Sequence, residues 1–193
     1  MRLSLLLAIA LAVATLAGCA SPKADFYTLS AEAPGDSARP ATPVTVLIGA
    51  VSVPELVDRP QIVVRAGANQ VTMNEFARWA DSLKSQIPRV IAADVAQDLN
   101  SPRVSAYPMA GDQAAVYRVQ IDVQRFDATL GDAVTVDALW SVSSPGKRAP
   151  LSGRSTVREP CSGAGYDALV AAYSRAFATI SRDIATAIRP ASP

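Results

Sequence analysis

Histidine is absent from all 193 residues. Its absence removes the commonest general base, the Ser–His and Cys–His nucleophile pairs, and most transition-metal ligand sets. No G-x-x-x-x-G-K-[ST] loop, G-x-G-x-x-G turn or G-x-S-x-G elbow occurs either, so phosphate cradles and strained nucleophile turns are missing. Excess charge of one sign is also lacking: 18 Lys and Arg face 17 Asp and Glu. Nucleic acid would require clustered basic side chains against its phosphates. Catalysis, a metal site, a bound cofactor and a nucleic-acid partner are therefore not expected. The nearest approach to an acid–base set is Asp122, Asp127 and Asp137, and alternating acids on a wet strand face are ordinarily solvated.

Cysteine is scarce too, with Cys19 and Cys161 alone. Cys19 closes the most informative stretch of the chain. Arg2 precedes an apolar run from Leu3 to Ala17 that stops at Leu16-Ala17-Gly18-Cys19. A plain secretory leader has a charge, an apolar core and small residues at its end, but needs no cysteine after the cut. The run is also shorter than the roughly 20 residues that span a bilayer. The L-A-G-C ending resembles the bacterial lipobox, which implies removal of residues 1–18 and a diacylglyceryl thioether on Cys19. Two or three acyl chains then anchor the protein, each buried methylene contributing ~0.8 kcal/mol. Cys161 is left without an intramolecular partner. It sits in the turn-like Glu159-Pro160-Cys161-Ser162-Gly163 and reads as an inert structural thiol.

Residues 19–43 read as a lipidated tether, a brief strand at Phe26-Tyr27-Thr28-Leu29, and a Pro-rich connection; residues 44–193 read as one domain. From Cys19 to Phe26 is seven steps, at most ~25 Å, so a domain that docks Phe26 lies close to the bilayer. Val44–Val53 has the continuous apolar character of a buried central strand. Gln61–Arg65 and Gln70–Met73, joined through Gly67-Ala68-Asn69, suggest a hairpin. Leu83, Ile87, Ile91, Val95 and Leu99 make one stripe of a helix over about 82–99. Pro88 lies inside it, so the helix either kinks there or begins its regular part there. Alternation at Tyr117–Gln124 and Val134–Val142, with turns at Leu130-Gly131-Asp132 and Pro145-Gly146-Lys147, predicts a three-strand meander ending in Leu151–Arg158. Leu169, Tyr173, Phe177, Ile180, Ile184 and Ile188 share one face of a last helix that Pro190 ends. The fold class expected is α/β: a mixed, largely antiparallel sheet packed by two main helices. Arg175, Arg182 and Arg189, seven residues apart, lie opposite the apolar stripe, as a solvated face or as a basic ridge for a partner.

These segments resemble the PqiC-like family of ABC-type transport auxiliary lipoproteins. The matching stretches are F-Y-T-L at 26–29, V-S-V-P-E-L-V-D-R-P-Q-I-V-V-R at 51–65, R-W-A at 78–80, Y-R-V-Q-I-D-V-Q-R-F-D at 117–127, A-L-W-S at 138–141 and S-R-D-I-A at 181–185. The resemblance implies a fold like the N-terminal domain of TolB. It also implies a non-catalytic docking subunit of an envelope lipid transporter built around MCE-domain proteins, forming a homo-oligomeric ring. Ala20 and Ser21 after the cysteine fit the lipoprotein sorting rule for the outer membrane. Candidate partner contacts are Asp58, Arg59 and Gln61 between strands, Arg78 and Trp79 before the first helix, and Arg175 and Arg182 on the last one; an Arg–Trp pair suits an interface. The alternatives are an envelope lipoprotein of another kind, such as an activator of a peptidoglycan synthase, or a shuttle carrying lipid in its own cavity.

Overall fold

A computed structural model describes residues 23–33, 42–106, 116–146 and 149–189. Cys19, the leader, most of the Pro-rich connection and Pro190 lie outside the described residues. In chain order the elements are β1 (Asp25–Tyr27), β2 (Thr45–Ser52), a 3-10 turn (Glu55–Val57), β3 (Gln61–Arg65), β4 (Val71–Trp79), α1 (Leu83–Leu99), β5 (Val104–Ser105), β6 (Val116–Thr129), β7 (Ala133–Ser143), β8 (Leu151–Pro160) and α2 (Tyr166–Ile188).

The alternating pattern of β6–β8 builds the main sheet. Its order is β5-β2-β6-β7-β8, with β2 parallel to β5 and β6 and the meander antiparallel. Val119, Ile121 and Val123 of β6 point inward, and then the inward set becomes Phe126 and Ala128. A bulge between Val123 and Arg125 makes that phase change, since one extra residue moves every later side chain to the other face. The sequence signal is the polar pair Gln124-Arg125 between two apolar positions. Strand β2 does the same between Ile48 and Val51. A Cβ on Gly49 would stand 3.1 Å from the Val119 carbonyl oxygen, which is why glycine suits that approach.

Both helices cover one face of this sheet. The six stripe residues of α2 are all buried, as are Leu83, Ile87, Ile91, Val95 and Leu99 of α1. Helix α1 starts at Leu83, ahead of Pro88, and continues past it; the proline is inside the helix rather than at its start. Asn100, at φ 46°, closes the other end, with its N–H on Gln97 O and the Ser101 N–H on Ala96 O. Phe126 and Tyr173 stack with ring centroids 3.9 Å apart, and Trp79 meets both edge-on. Each such ring contributes about 1.5–3 kcal/mol by leaving water.

Strands β1, β4 and β3 form a second, three-stranded sheet in that order. The sequence pattern showed the hairpin but not this partition. β1 runs parallel to the end of β4, pairing Asp25 with Ala77, Phe26 with Arg78 and Tyr27 with Trp79. Residues 28–32 then cross both helices. Gln86 Oε1 accepts the Leu29 N–H at 2.8 Å, Ser174 Oγ accepts the Ser30 N–H, and Asp94 Oδ1 accepts the Glu32 N–H at 2.9 Å. Leu29 enters the core. The segment that follows Cys19 by six residues is thus built into the folded body.

Candidate functional site

Pairing across strands decides which side chains share the outer face of the small sheet, because directly opposed residues project to the same side. Phe26 of β1, Arg78 of β4 and Gln61 of β3 form one transverse row. Phe76, two residues before Arg78 along β4, joins them. The next opposed pair is Val63 with Met73. A register shift between Gln61 and Val63 loosens the ladder here, and Asn74 Oδ1 accepts the Phe76 N–H at 2.8 Å in its place. Phe26 is 65% exposed, Met73 44% and Phe76 43%. Large apolar groups gathered on one exposed face are candidates for an interaction surface.

The charges on this face are unequally matched. Asp58 pairs with Lys84 at 2.6 Å. Glu75 accepts from Gln61 Nε2 at 3.0 Å. Arg59 reaches only the thioether of Met73, at 2.9 Å. The guanidinium of Arg78, a half-buried residue, has neither an ion pair nor a hydrogen bond among the described residues. Lys84 thus neutralises Asp58, Glu75 keeps its charge because its partner is a neutral amide, and the Arg59 and Arg78 guanidinium groups have no carboxylate partner among the described residues.

Of the residues expected to touch a partner, Asp58, Arg59, Gln61 and Arg78 come together on or beside this face. Trp79 does not. It is 4% exposed, facing inward against Phe126 and Tyr173, because strand alternation sends residue 79 opposite to residue 78. The expected arginine ridge on α2 also breaks up. Arg175 turns to Glu159 Oε2 at 3.4 Å and the Pro160 carbonyl at 2.6 Å. Arg189 caps the Asp98 carbonyl of α1. Arg182 stays exposed, bonded to Thr179 Oγ1 at 3.1 Å. Sequence reasoning missed Phe76 and Met73; their signal was an apolar residue on each side of the polar pair Asn74-Glu75 in a strand end.

The three hairpin carboxylates are all occupied. Asp122 accepts from Ser52 Oγ and from Gln124 Nε2. Burial alone would raise Asp127, but hydrogen bonds from Arg125 and Arg65 outweigh it and hold the carboxyl below its ordinary value. The Arg154 guanidinium, bonded through Nε and Nη2, lowers Asp137. Such groups are poor proton donors near neutral pH. Among the described residues no group of three Cys, Asp or Glu is placed to hold a metal. Burial pushes the Cys161 thiol up, although Arg175 and Arg158 pull the other way, which leaves little nucleophilic thiolate. No described helix is long and apolar enough to cross a membrane.

A family model described as "ABC-type transport auxiliary lipoprotein component" matches residues 27–185. No curated protein matches the chain. Two solved structures share the fold at 20% identity. One, titled an uncharacterized protein, superposes with a TM-score of 0.71 over 87% of this chain and 100% of its own. The other, a Xanthomonas campestris protein of family DUF330, gives 0.63 over 83% of this chain and 92% of its own.

Proposed function

Because the chain belongs to the family of ABC-type transport auxiliary lipoprotein components, we propose that it is a non-catalytic docking subunit of an MCE-type lipid transporter, anchored at the outer membrane through Cys19. The observation that carries this reading is the junction between the lipobox and the fold. Strand β1 begins six residues after Cys19, so acyl chains on that sulfur keep Phe26, seven steps on, within ~25 Å of the bilayer. Confinement of this kind raises effective concentration and makes a modest protein contact productive. Arg182 is available for that contact. It lies sixteen residues, about 24 Å along α2, from Tyr166, whose ring is 6.0 Å from Tyr27 of β1.

The test is a Cys19→Ser chain expressed at normal level beside the native one. The native chain is expected in the membrane fraction, with an N-terminal peptide carrying fatty acids and an MCE-domain protein co-isolating with it. The variant is expected to leave the membrane and lose transport while its domain stays folded by circular dichroism. Full transport from the unanchored form refutes the mechanism, and co-isolation of a cell-wall synthase instead assigns the chain to another envelope task.

A further inference from the structure

We propose that the outer face of the small sheet rests on the lipid surface itself. Phe26 and Phe76 enter the headgroup–acyl boundary, and Arg78 and Arg59 meet lipid phosphates. The proposal rests on acylation of Cys19 and names what that anchor does not: which side of the domain faces the bilayer.

Three observations lead there. The first is reach. The chain enters the fold at β1, an edge strand of the small sheet, and Phe26 is the second residue of that strand, seven steps from the anchored sulfur. Among the described residues no other exposed large apolar side chain lies so near Cys19 along the chain. The second is composition. Exposed Phe26 lies opposite Arg78 and exposed Phe76 two residues from it, while exposed Met73 meets Arg59, the mixture of apolar bodies and long cationic side chains that settles ~5–10 Å into an interface. The third is charge. Lys84 neutralises Asp58, and Arg78 and Arg59 lack a carboxylate partner among the described residues; Glu75, held by the neutral Gln61 amide, is turned to that side chain rather than to either arginine. An anionic lipid phosphate supplies the missing counter-charge, and a bidentate oxygen pair suits guanidinium geometry.

A single acyl tether leaves a domain free to swivel. A second, weaker contact beside it selects one orientation of the domain on the bilayer.

The experiment uses the full acylated chain in vesicles of phosphatidylethanolamine and phosphatidylglycerol, with and without brominated acyl chains. Tryptophan is introduced singly as Phe26→Trp, Phe76→Trp and Leu139→Trp; residue 139 is 41% exposed on the main sheet. Brominated lipid is expected to quench the added emission at 26 and 76 by about twofold or more, as insertion to the acyl boundary requires, and to leave position 139 unchanged. Equal quenching at all three sites, or none at 26 and 76, overturns the proposal. So does a blue shift at 26 that grows with protein concentration in the absence of lipid, which assigns the face to a second copy. Mass spectrometry of Cys19 on the same sample separates the two ideas: quenching at 26 and 76 in a Cys19→Ser chain upholds the lipid face even where the anchor reading fails.

Discussion

Asp94 illustrates how a single buried group sets a condition on the fold. It is 4% exposed, and only Oδ1 is bonded, to the Glu32 N–H. Burial first, then the charges of Glu32 and Asp98, raise its carboxyl from 3.8 to about 6, against the pull of that hydrogen bond and of Arg182. Between those values the folded chain holds a proton that the unfolded chain has released. Stability from this site is therefore greatest below about pH 4, declines as the pH rises towards 6 and is flat above, a change of about 3 kcal/mol at most. Asp94→Asn keeps the acceptor and removes the ionisation. Urea midpoints measured from pH 4 to 7.5 should show the variant gaining on the native chain as the pH rises; parallel curves would contradict the assignment. Asp127 and Asp137, both lowered, act in the opposite sense, and their contribution is lost only in acid.

Close approach between neighbouring strands is the controlling feature at the level of elements. Trp140 of β7 lies opposite Gly153 of β8, and its indole covers the space where a side chain would be: a Cβ on Gly153 would stand 2.3 Å from the ring. The same indole donates to Ser155 Oγ at 3.0 Å, and Ser155 donates to Asp183 of α2 at 2.6 Å, so the glycine permits a link between sheet and helix. Gly153→Ala should displace the ring and break that relay, costing about 1–3 kcal/mol. Thermal unfolding reads the loss, with a change in Trp140 emission as its local sign. Gly67→Ala, where the nearest atom is 3.9 Å away, should leave the midpoint unmoved.

For the whole molecule the question is whether two sheets make one cooperative body. Trp79 of the small sheet packs on Phe126 of the main sheet and on Tyr173 of α2, and residues from both sheets and both helices share a continuous core. A second link joins Arg65 of β3 to Asp127 of β6 at 3.1 Å. Unfolding should therefore be a single transition. Trp79 reports the small sheet and Trp140 the main one, so Trp140→Phe and Trp79→Phe chains, followed by emission, should give urea curves of the same shape as circular dichroism. A small sheet that melts first would show that it is only loosely joined to the main one.

How much of this was readable beforehand follows from the range of the forces involved. Local periodicity placed α2 and the β6–β8 meander, since a stripe or an alternation is written in neighbouring residues. It also placed Asp58, Arg59 and Gln61 in a break between strands and Arg78 just before the first helix. Periodicity could not divide the strands between two sheets, because β1 pairs with β4 across about fifty residues and nothing local encodes that partner. Nor could it orient Trp79: an aromatic beside an arginine suits an interface or a core equally until the pleat is known. The linear chain by itself determined the missing histidine chemistry, the lipobox and the short reach from Cys19 to Phe26, all of them matters of residue identity and contour length. Tertiary structure alone decided that Phe26, Phe76 and Arg78 stand together on one outward face, because side chains from separate strands become neighbours only through the hydrogen-bonded register that aligns them.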